Sequence, residues 1–174
     1  MTISRLLQDK ENYTNEISLL VSILLRYPQI SSLNFDPHLH MLRFAFMVSE
    51  NIPEEQLREF QHRLETSLEA FHHLDDHKEA VFEIVFKNMN AITCIEISRH
   101  LENLSQEEIS LIVMLLQDTF SKHLVMDFHD LALDEDLQLQ EELIDTMLLD
   151  LKDNTKDRNF IAYREEGRVM VFNK

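Results

Sequence analysis

Nine histidines in a chain of 174 residues raise metal chemistry before any other. They crowd most closely at His72, His73 and His77, with Asp75 and Asp76 between them. Just upstream, Glu59-x-x-His62 and Glu69-x-x-His72 repeat the spacing by which di-iron bundles offer a carboxylate and an imidazole from one helical turn. Those bundles need ligands from four facing helices, whereas much of this chain reads as strand. Steps of 100° from the apolar Phe60 place His62, Glu65, Glu69 and His73 on the opposite side of their helix, so a solvated stripe is the simpler reading. Structural zinc sites usually include thiolates, and Cys94 is the single cysteine.

A second group follows later: Asp127-Phe128-His129-Asp130, then Asp134, Glu135 and Asp136. Carboxylates with an imidazole suit Mg²⁺ or Mn²⁺ in a phosphoesterase or nuclease. A metal-dependent hydrolase would require the two groups to meet in space, with His72, His73, His77, Asp127, His129 and Asp130 as candidate ligands. Asp134-x-Asp136 lacks the glycine and terminal glutamate of a calcium loop. His38 and His40 fit a hairpin tip without chemistry. Arg164 and Arg168 flank the last turn and could clamp an anion, but a partnership with Glu165 and Glu166 explains them as well.

Composition removes whole classes of function. Gly167 is the one glycine, where average usage would give about 7 %. Phosphate-cradling loops need glycines for close backbone approach, so a Walker loop, a Rossmann fingerprint and a Gly-x-Ser-x-Gly elbow are all absent. The net charge of −16 sets 32 acids against 16 basic residues. Such a surface repels phosphate backbones and anionic lipid, and no Lys/Arg cluster offsets it. Neither nucleic acid nor membrane is expected as a partner. Cys94 falls in an apolar strand pattern, where a buried, inert thiol is expected. Met1 to Asn12 carries no apolar core of a signal peptide, and no run is long enough for a membrane helix, so a cytoplasmic location is expected.

The elements that must position these residues can be read in chain order. After a loose lead over 1–13, Ile17, Leu20, Val21 and Leu24 predict a helix from Thr14 or Asn15 to about Arg26, ended by Pro28. The period then drops to two, with Leu33 and Phe35 before the turn Asp36-Pro37-His38 and Leu42, Phe44, Phe46 and Val48 after it. A second helix opens at Asn51-Ile52-Pro53-Glu54-Glu55 and buries Leu57, Phe60, Leu64, Leu68 and Phe71, running out in the polar stretch His72–His77. Val81–Phe86 and Ile92–Ile97 predict a hairpin around Lys87-Asn88-Met89-Asn90. Ser105 with Glu108 forms a capping box, and Ile109–Leu116 is apolar nearly all round. Such a helix is central, or buried at a subunit contact. Between Asp127 and Asp157, eleven acids face Lys152 and Lys156, yet Leu137, Ile144, Leu148 and Leu151 predict a fourth, amphipathic helix over about 134–152. Asn159–Ala162 and Arg168–Phe172 close the chain as a hairpin whose loop takes the lone glycine.

The pattern predicts one α+β domain over residues 1–174. It is read as two layers, with three helix-then-hairpin units forming a largely antiparallel sheet backed by helices on one face. With no catalytic signature, the expected function is a small acidic protein-interaction or regulatory module, homo-oligomeric or bound to a protein partner. An exposed apolar face between acidic flanks would suit a basic partner. The alternatives are the metal-dependent hydrolase above and an acidic mimic of nucleic acid, which would need carboxylates along one continuous ridge.

Overall fold

The computed structural model describes residues 15–74, 82–126, 134–153 and 159–173. Within them lie four α-helices and six strands in the order α1 (Asn15–Arg26), β1 (Ser32–Asp36), β2 (Met41–Val48), α2 (Glu54–Leu74), β3 (Phe82–Met89), β4 (Ile92–His100), α3 (Gln106–Phe120), α4 (Asp134–Asp153), β5 (Phe160–Glu165) and β6 (Arg168–Asn173). A single 3₁₀ turn, Leu101–Asn103, links β4 to α3. The strands form one antiparallel sheet in the order β3-β4-β2-β1-β5-β6. The chain is thus α+β, as its changing hydrophobic period requires.

The alternation that predicts each strand also predicts which face it buries. One row of facing residues crosses the whole sheet: Ile84, Ile97, Phe44, Leu33, Ala162 and Val171. The central four are fully buried, while Ile84 and Val171, on the edge strands, are only partly covered. Helix residues such as Leu20 and Ile23 of α1, Leu64 of α2, Ile112 of α3 and Leu148 of α4 complete the same cluster. Each large apolar side chain so removed from water contributes about 1.5–3 kcal/mol. The next row along, Glu83, Ser98, Arg43, Asn34, Ile161 and Phe172, lies on the other face.

Boundaries move in three places. The central hairpin extends to Met89 and turns through Asn90-Ala91, Asn90 taking the left-handed conformation (φ 57°), so Lys87 to Met89 are strand, not turn. Strand β4 runs on to His100, three residues past the predicted end. Strand β5 runs on to Glu165, three residues past the predicted Ala162, whereas helix α2 ends at Leu74, inside the polar stretch, and so contains His72 and His73. The last loop, Glu166-Gly167, has positive φ at both residues, the type I′ geometry for which the glycine is suited. Where β2 outruns β1, the chain after α3 takes over: Ser49 N–H donates to His123 O and Val125 N–H to Met47 O, around a Val48–Leu124 bridge. The lead over 1–13 lies outside the described residues.

Candidate functional site

The histidine group divides along its helix. The buried side of α2 is Leu57, Phe60, Leu64, Leu68 and His72, a spacing of three then four, and His73 next to it is exposed together with His62 and Glu69. The outward stripe is where helical geometry puts it. His72 instead takes the inward position that the apolar spacing predicts for Phe71, which is only half-buried. His77, Asp127, His129 and Asp130 lie outside the described residues. Among the described residues, no three His, Cys, Asp or Glu side chains converge on a point where a metal could sit.

What His72 meets is a charge cluster inside the core. Arg99 of β4 forks onto Glu108 of α3, its Nε donating to Oε2 at 2.7 Å and its Nη2 to Oε1 at 2.6 Å. His72 Nε2 lies against the same Oε1 and 3.3 Å from Arg99 Nη2. Arg99 and Glu108 expose none of their side chains to solvent. A bidentate guanidinium–carboxylate pair is the strong form of this contact, and it ties three elements, α2, β4 and α3, at one point. The sequence signals were present but pointed elsewhere. Arg99 shares the inward parity of Ile95 and Ile97. Glu108 occupies the capping-box position, where Ser105 Oγ accepts from its N–H at 3.3 Å, yet its own carboxylate turns into the core.

A second arginine comes from β5. Arg164 donates from Nε to Ile30 O at 3.0 Å and from Nη2 to Tyr27 O at 2.8 Å, and also to Leu24 O. It thus collects the carbonyls at and beyond the end of α1, where the helix dipole favours a cation. Its Nε and Nη2 are thereby given to backbone carbonyls, not to an anion. A cleft of about 310 Å³ beside it is lined by Pro28, Ser31, Val125, Met126, Arg164 and Gly167 among others, and its arginine is already committed to backbone. Nearby, Tyr27 Oη, Gln106 Nε2 and Ser110 Oγ form a hydrogen-bonded trio joining α1 to α3. Burial pushes the Tyr27 phenol up, with the Ser110 and Gln106 contacts opposing. Cys94 is buried as expected, and burial followed by Glu96 raises its thiol, the opposite of an activated nucleophile.

The acidic helix has two sides. Ile144, Met147, Leu148 and Leu151 are buried. Glu141 accepts from Arg26 of α1 (2.6 Å), and Asp145 caps the first turn of α3 by accepting from Gln106 N–H at 2.9 Å. These contacts fix which side faces out. On it, Leu139, Leu143 and Leu149 are 63, 52 and 62 % exposed, between the exposed acids Asp136, Glu142 and Asp150. On α3, Met114 is also exposed, at 52 %, so that helix is buried on most but not all of its circumference.

No family model matches the chain, and neither a curated protein nor a solved structure is significantly similar to it. No helix among the described residues is long and apolar enough to cross a membrane.

Proposed function

We propose that the chain is a small acidic protein-interaction module, self-associating and built from three helix-then-hairpin units, whose outward side of α4 receives a basic amphipathic segment of another protein. One observation carries the reading: Leu139, Leu143 and Leu149 stand exposed among Asp136, Glu142 and Asp150. Half-exposed leucines on a helix already anchored by its other side gain nothing for the fold. Placed between carboxylates they match a partner that alternates aliphatic and Lys or Arg side chains, the acids steering the encounter and the leucines supplying burial. The interleaving also argues against the nucleic-acid mimic, since its carboxylate ridge would be broken by large apolar groups.

The test is titration of a fluorescent leucine–lysine peptide of helical period into the untagged protein, beside an all-lysine peptide of equal charge. The leucine-containing peptide should bind more tightly. Leu139→Asp with Leu143→Asp should weaken it about tenfold or more, because two apolar contacts of ~1 kcal/mol each disappear. That double variant is more negative than the parent, so a purely electrostatic attraction would instead strengthen. Unchanged or tighter binding by the double variant would overturn the proposal.

A further inference from the structure

Strand β3 ends the sheet, and among the described residues β4 is its one neighbour. It spans eight residues, Phe82–Met89, and its register with β4 advances one residue at a time from Phe82↔Arg99 to Met89↔Ile92. Proteins blunt such edges with prolines, bulges, short strands or charged side chains, and the charges on this edge are Glu83 and Lys87. This edge has no proline and no bulge, and it is among the longest strands of the sheet. Its outward row of N–H and C=O groups is a template for another strand.

The side chains say which strand. We propose that two copies of the chain join by antiparallel pairing of their β3 edges, about a two-fold axis through Val85, so that the two sheets become one. A two-fold partner must keep each side chain on its own face of the sheet, which allows only registers shifted by two residues. With Val85 opposite its own copy, Glu83 faces Lys87 of the second copy, and Lys87, whose Nζ already donates to Glu96 at 3.0 Å within its own chain, faces the second copy's Glu83 as a second carboxylate. On the core face, Ile84 then meets Phe86 twice. A shift of two residues breaks every one of these matches, setting Lys87 against Val85 and Glu83 against Met89. The charges at 83 and 87 are thus self-complementary in one register, as a two-fold interface requires. In the single chain Val85 and Met89 are 37 and 47 % exposed, and Phe82, Ile84 and Phe86 are only partly covered. A second β3 would complete that cover. The opposite edge offers no such match: the same operation on β6, about Met170, sets Arg168 against Phe172.

This seam specifies the self-association in the reading above and rests on it, but it uses a surface separate from the leucines of α4. Peptide binding can therefore survive if the seam fails, and the reverse. Sedimentation equilibrium of the untagged protein at micromolar concentration should give twice the chain mass of 20.7 kDa. Glu83→Lys sets lysine against Lys87, and Lys87→Glu sets glutamate against Glu83, so each variant alone should be monomeric. Mixed in equal amounts they should form a one-to-one heterodimer, because every facing pair is again of opposite sign. Structural damage could not be repaired by mixing. Val85→Cys supplies an independent readout: facing residues of an antiparallel pair lie within disulfide reach, so oxidation should give a linked dimer. A monomeric parent, a dimer that persists in either single variant, a mixture that stays monomeric, or no cross-link through position 85 would each overturn the seam.

Discussion

The hairpins at the two ends of the sheet each send one arginine into the core layer, and the two arginines are accommodated by different physics. Arg99 of β4 meets a carboxylate, so two full charges leave water together and must satisfy one another. Arg164 of β5 meets the carbonyls of Leu24, Tyr27 and Ile30, so one charge is set against the partial charges of a helix end. The first arrangement is brittle, because losing either partner removes the other's bidentate counter-charge in the core. The second degrades gradually, because carbonyls left without the guanidinium are neutral. A buried ion pair is therefore poor evidence of net stability and good evidence of mutual dependence.

Arg99→Met should give the largest effect. It deletes both guanidinium hydrogen bonds of Glu108 and leaves the carboxylate's charge in a solvent-shielded site, for a loss of about 3–5 kcal/mol by urea denaturation. Replacing the cluster together, as Arg99→Met with Glu108→Leu and His72→Phe, should recover most of that loss, since an apolar set of similar volume needs no charge partner. If the triple variant is no more stable than the single one, the three side chains are not the interdependent unit that their geometry implies.

At the other end, Arg164→Met should cost less, about 2 kcal/mol, the scale of hydrogen bonds from a charged donor. Arg164→Lys should recover only part of it, because an ammonium cannot fork across carbonyls as a guanidinium does. Hydrogen exchange sharpens the contrast. Loss of Arg164 should release protection first in the last turn of α1, whereas loss of Arg99 should lower it across α2, β4 and α3 alike.

How much of this was legible in the sequence follows from the range of each interaction. Period-two runs such as Leu42, Phe44, Phe46 and Val48 announce both a strand and its buried face, because adjacent side chains settle the matter. The Ser105 cap and the Gly167 turn are equally local. The charge cluster is not local: Arg99 and Glu108 are nine residues apart and His72 a further twenty-seven away. Each has a sufficient short-range explanation of its own, as a strand end, a capping-box glutamate and a loop histidine. Glu108 and His72 mislead because a tertiary partner outcompetes the local one. The same holds for Arg164, which reaches carbonyls more than a hundred residues away.

Tyr27 stands between the two ends and gives the smallest, most specific prediction. Its carbonyl accepts from Arg164, while its hydroxyl meets Ser110 and Gln106 at the start of α3, the helix that carries Glu108. Tyr27→Phe should cost about 1 kcal/mol, the net worth of a neutral hydrogen bond with its partners left to find others. Its pH dependence has a definite sign. The phenol is held neutral by burial, so its folded value lies above its unfolded value near 10. The stability it contributes is then fully present below about pH 10 and is lost as pH rises through the folded value, since the unfolded chain gives up the proton first. The parent should therefore lose more stability than Tyr27→Phe as pH rises above about 10, and the phenolate absorbance of the folded parent should include one tyrosine that titrates late. Equal slopes for the two proteins would mean that Tyr27 ionises as freely as a tyrosine in water, and that the joint between α1 and α3 is wetter than its hydrogen bonds imply.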